Sequence, residues 1–89
     1  HPNVAYTLNR IGRQHFFLGD VQQAMDFFRQ AVEMQRVVVH NRPDTNLHHY
    51  LGWLADSYSQ AGDPQKASEI HSEASQMEKE LEKLGRRVW

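Results

Sequence analysis

With 89 residues, of which 39% are hydrophobic and 24% charged, the chain can form one small globular domain with a thin core, and it is too apolar for a disordered or fibrous segment. Its formal charge of -1, with no basic run beyond Arg86-Arg87, excludes the strongly cationic surface that nucleic-acid binding draws on. No apolar stretch approaches the roughly 20 residues of a membrane span, and the absence of cysteine removes disulfides and thiolate chemistry and fits a reducing, cytoplasmic setting.

Glycine and proline are sparse enough to leave four windows with helical periodicity and none with strand periodicity, so an all-α fold is expected. The first helix is predicted from about Asn3 to Leu18, on the spacing of Val4, Leu8, Ile11 and His15 or Phe16, with Gly19 placed to end it. Asp20 is the predicted N-cap of the second helix, and Gln23 completes a capping box. The apolar stripe of that helix is Val21, Ala24, Phe28, Ala31 and Val38.

The stretch HNRPDTN reads as a connection, because Pro43 biases Arg42 away from helix. The third helix is predicted from Thr45 to Gln60. The fourth begins with Asp63 as N-cap and Pro64 at the first helical position, where a missing amide proton costs nothing. Its apolar residues are Ala67, Ile70, Ala74, Met77, Leu81, Leu84 and Val88, alternating three and four apart as in a heptad seam. Gly85 is placed to cap its end. The chain opens on His1 rather than Met, which reads as an excised segment or a processed chain.

Two stretches are nearly the same: LGDVQQA, Leu18 to Ala24, and AGDPQKA, Ala61 to Ala67. Superposing them sets Ala24 on Ala67, an offset of 43 residues, and carries Leu8, Ile11 and Gly12 onto Leu51, Leu54 and Ala55, and Ala31 onto Ala74. Each copy then has a small residue in its first helix (Gly12, Ala55) opposite a small one in its second (Ala24, Ala67). Such a pair lets two helix backbones approach closely.

This pattern resembles the tetratricopeptide repeat, a helical hairpin with a bulky residue, Leu-Gly, an aromatic, and later Ala, Phe and Ala at set spacing. One copy supplies Leu8, Ile11-Gly12, Gly19, Ala24, Phe28 and Ala31; the other supplies Leu51, Leu54-Ala55, Tyr58, Gly62, Ala67 and Ala74. The opening HPNVAYTLNRIG and the 43-residue offset resemble the long-repeat variety found in kinesin light chains. The chain departs from that variety at Arg10, where a second asparagine is typical, and at His15 and His71, where aromatics are expected.

The resemblance implies two tandem helix-turn-helix hairpins, four antiparallel helices with an extended C-terminal helix, forming a fragment of an α-solenoid. The units are residues 1–40, residues 41–76, and a C-terminal extension over 77–89. It also implies an inner groove walled by the first helix of each hairpin, a place for a peptide segment of another protein. Tyr6, Asn9, Arg13 and Phe17 would face it from one hairpin, and His49, Trp53, Asp56 and Gln60 from the other. Asn9 matches a position that holds the backbone of a bound peptide, and Arg13 would pair with a ligand carboxylate. Trp53 is either an anchor for a partner or packing between hairpins.

A competing reading gives the seam of Ile70, Met77, Leu81, Leu84 and Val88 to self-association as a homodimer or to a neighbouring repeat. Chemistry is not indicated. No two histidines have the H-x-x-x-H spacing of a helical metal site, so no metal or other cofactor is expected. No phosphate loop or nucleophile motif is present, and the carboxylates alternate with lysines as in Glu78, Lys79, Glu80, Glu82 and Lys83, so no enzyme activity is expected. His15 and His71 are expected half-buried. Phe16 and Phe17, about 100° apart on one helix, cannot both enter one core.

Overall fold

The computed structural model describes residues 2–85, with the side chains described from Val4 onward. Helices α1 (Pro2–Phe17), α2 (Val21–Val38), α3 (Thr45–Gln60) and α4 (Pro64–Lys83) succeed one another, with no strand among the described residues. α1 packs on α2, α2 on α3, and α3 on α4, so the two hairpins are joined through α2 and α3.

The repeated Gly-Asp dipeptide makes each hairpin turn short. Gly19 and Gly62 take the left-handed conformation, with φ of 84° and 87°, that a side chain disfavours. The amides of the glycine and of the aspartate after it both bond back onto the helix just ended. Gly19 N donates to Phe16 O (3.1 Å) and Asp20 N to His15 O (2.9 Å); Gly62 N donates to Ser59 O (3.1 Å) and Asp63 N to Tyr58 O (2.9 Å). Each aspartate therefore closes one helix with its amide and stands at the N-cap of the next.

The two aspartates differ in their side chains. Asp63 accepts from Lys66 N at 3.1 Å, the expected cap. Asp20 does not cap α2, and its carboxylate lies 3.4 Å from Nδ1 of His15 instead. His15 is half-buried, its ring stacked on Phe27 at 5.4 Å. His71, expected at a comparable depth, is exposed.

α2 ends with the same bonding but without glycine. Asn41 N reaches Arg36 O (2.9 Å) and His40 N reaches Val37 O (3.2 Å), with His40 and Asn41 at φ of 53° and 58°. α3 then starts at Asp44, whose Oδ2 accepts from both Leu47 N (2.9 Å) and Gln35 Nε2 (3.0 Å). One carboxylate thus caps α3 and fastens it to the buried Gln35 of α2.

Between the helices lie Ala5, Ala24, Phe28, Ala31, Val32, Leu47, Tyr50, Leu51, Leu54, Ala74, Met77 and Leu81, a single cluster drawn from all four helices. The small residues are buried as the repeat predicts, but Gly12 does not meet Ala24 most closely. A Cβ at Gly12 would sit 2.8 Å from the Phe28 ring and 3.2 Å from Phe27 Cβ, so the glycine makes room for an aromatic ring one turn further along α2.

The expected seam on α4 is corrected in part. Met77 and Leu81 are buried inside the chain and Ile70 packs against the same core, because α4 needs its apolar side to hold α3. Leu84, just past the helix, is exposed; Val88 lies outside the described residues. Across the hairpins, Arg36 Nη1 of α2 lies 2.6 Å from Glu73 Oε2 of α4.

Candidate functional site

The open face of α1 is set by its rotation. Ala5, Asn9 and Gly12, spaced four and three apart, are buried. Tyr6, Arg10, Arg13 and Phe17, spaced four, three and four, are exposed along the other side. Together with Gln14 these four line a shallow open concavity of about 430 Å³.

Asn9, expected on the groove wall, is instead turned inward. It is only 4% exposed, and its Nδ2 is buried without a hydrogen-bond partner. A single step along a helix turns a side chain by about 100°, enough to exchange the buried face for the open one. Arg10 takes the place expected for Asn9. Spacing did not mark it, since three-four-four from Tyr6 through Asn9 suits a helix face as well as four-three-four through Arg10.

Both guanidiniums on this face lie over aromatic rings. Arg10 is 5.7 Å from the Tyr6 ring centroid, and Arg13 is 5.0 Å from that of Trp53. Among the described residues neither is paired with a carboxylate. The face offers positive charge that is held in place yet not neutralised.

Trp53 is enclosed by the chain itself. Phe28 of α2 stacks against it (5.9 Å, 26°), Phe16 and Phe17 meet it edge-on (5.8 Å each), and Arg13 covers it. It is the joint between the hairpins, and it brings the α1 face up against α3. The neighbouring phenylalanines divide as the helix requires: Phe16 is half-buried against Phe28 and Trp53, while Phe17 stays 70% exposed.

Along α3, His49, Asp56 and Gln60 are exposed at the spacing expected for one face, and the half-buried Trp53 lies on the same face. Asp56 Oδ1 is 3.7 Å from His71 Nε2 of α4, both side chains well solvated. Beside His49 stands His48, whose Nδ1 is buried without a partner. Burial holds its pKa below the ordinary 6.5, and His49 lowers it further against an opposing pull from Glu78. On the same helix, burial raises the Tyr50 phenol above its usual value, reinforced by Asp44 and Tyr6. Among the described residues no three metal-ligating side chains come together.

Paired hairpins stacked through α2 and α3 define an all-α helical-repeat protein. Residues 5–37, which lie within α1, its turn and α2, match the family model of the Tetratricopeptide repeat, so the first hairpin is similar to such a repeat. No curated protein and no solved structure gives a significant match to the chain. Tetratricopeptide repeats generally mediate protein–protein interactions and are typically not enzymes. Among the described residues no helix is long and apolar enough to cross a membrane.

Proposed function

We propose that the chain is a protein-interaction module that receives a peptide segment of a partner on the face built from α1 and α3. The observation that carries this reading is the strip of Tyr6, Arg10, Arg13 and Phe17, where two exposed aromatic rings accompany two guanidiniums free of carboxylates. A segment with a carboxylate and an apolar side chain matches both features. The guanidinium fork binds a carboxylate with defined geometry, and a rigid ring contributes contact area at low entropic cost. His49, Asp56 and Gln60 extend the face with polar contacts.

The opening HPNVAYTLNRIG and the 43-residue spacing support a finer reading, a cytoplasmic adaptor of the long-repeat variety found in kinesin light chains. Self-association through the end of α4 is the weaker alternative, because Met77 and Leu81 are already buried within the chain and Leu84 alone of the described seam lies open.

Affinity capture tests the groove, comparing the wild type with an Arg10→Glu, Arg13→Glu, Phe17→Ser variant whose helicity and melting are checked alongside. Loss of a retained protein from the folded variant supports the reading. Retention of the same proteins by both sinks it. A wild-type mass of twice the chain, halved by Leu84→Asp, would favour self-association instead.

A further inference from the structure

α2 shows what a stacking face looks like in this chain. Phe28 stacks on Trp53, Val32 joins the core with α3, and Gln35 donates to Asp44; Met25 is buried nearby. Val21 and Pro64 open α2 and α4 at the 43-residue offset, so each of these positions has a counterpart on α4.

The positions that face the hairpin partner are kept: Ala24 and Ala67 are buried, as are Ala31 and Ala74. The stacking positions are not. Met25, Phe28, Val32 and Gln35 are answered by Ser68, His71, Ser75 and Glu78. The first three of these are exposed and Glu78 is half-buried. Ser72, Lys79 and Glu82, which flank them on α4, are exposed and polar as well. His71 already faces Asp56 of its own hairpin.

We infer that the outer face of α4 is a capping face: it stays in water, and no hairpin stacks on it as α3 stacks on α2. Covering the four stacking positions would strip water from two hydroxyls, an imidazole and a carboxylate while burying almost no apolar surface, so the exchange is unfavourable. The stacked array closes at α4 on this side. A partner segment is then met by the α1 and α3 face, not by an extension of the stack beyond α4.

The test uses the intact protein with Ser68→Glu and Ser75→Lys together, beside a variant that restores the α2 pattern on α4 through Ser68→Met, His71→Phe and Ser75→Val. The charged pair is expected to leave the mass by light scattering unchanged and to shift Tm by less than about 4 °C, as surface substitutions do. The apolar triple is expected to raise the mass or cause precipitation, because it exposes a stacking face with nothing to cover it. A charged pair that halves the mass, or lowers Tm by more than about 8 °C, would show the native face to be buried in an interface and overturn the inference. So would an apolar triple that stays at the wild-type mass with a raised Tm, since a covered face gains from apolar residues. Partner capture by the α1 strip is read separately and does not depend on either result.

Discussion

The guanidinium carbon of Arg13 lies 5.0 Å from the ring centroid of Trp53, so a residue of the open strip on α1 is also the outer cover of the joint between the hairpins. Removing Arg13 should therefore be felt in stability as well as in binding. Arg13→Ala is expected to cost about 0.5–1 kcal/mol, the scale of a partly solvated cation–π contact. Urea unfolding measures this, and Trp53 emission, read in a Trp89→Phe background, should shift to the red. An unchanged emission maximum would mean that the contact is not formed in solution.

Two glycines make opposite predictions for one substitution. Gly12→Ala places a Cβ 2.8 Å from the Phe28 ring, inside the core and next to Phe27 Cβ, and is expected to destabilise by about 1–3 kcal/mol through overpacking. Gly52 lies mid-helix in α3 with nothing within 4 Å of an added Cβ, so Gly52→Ala is expected to stabilise by about 0.5–1 kcal/mol. Denaturant midpoints of the two variants should move in opposite directions.

His40 occupies at the end of α2 the left-handed position that Gly19 and Gly62 fill at the ends of α1 and α3. A side chain there costs on the order of 1 kcal/mol relative to glycine, so His40→Gly should raise stability by about 0.5–1 kcal/mol, while Gly62→Ala should lower it by a similar amount. Thermal melting of both variants checks the sign of each change.

His48 gives the chain a pH dependence whose direction is set by burial. Its folded pKa is depressed below 6.5, so on acidification the unfolded chain takes up the proton first. The stability associated with neutral His48 is full above 6.5 and is lost as pH falls through the window between that value and the lowered folded one. His48→Gln should flatten the urea midpoint across this window. A wild type and variant with parallel pH profiles would remove His48 as the cause.

Where the helices begin and end is written locally in the sequence. At Gly19-Asp20 and Gly62-Asp63 a glycine admits the left-handed turn and an aspartate stands ready to cap the next helix, and Pro64 suits a first helical position. These choices depend on a few neighbouring residues, and the third helix accordingly runs from Thr45 to Gln60 as its flanks predict. The buried alanines were legible for a related reason, since the same spacing recurs in both copies.

Which side of each helix remains open is a matter of packing. Asn9 and Arg10 are adjacent polar residues on α1, and nothing local says which of them turns inward; that depends on how α1 is rotated on its neighbours. Trp53 became a joint because Phe28 and Arg13, from two other helices, converge on it. Met77 and Leu81 left the seam of α4 because α3 lay there to be covered. Local rules fix the ends of a helix, whereas its exposed face depends on contacts with helices distant in the chain.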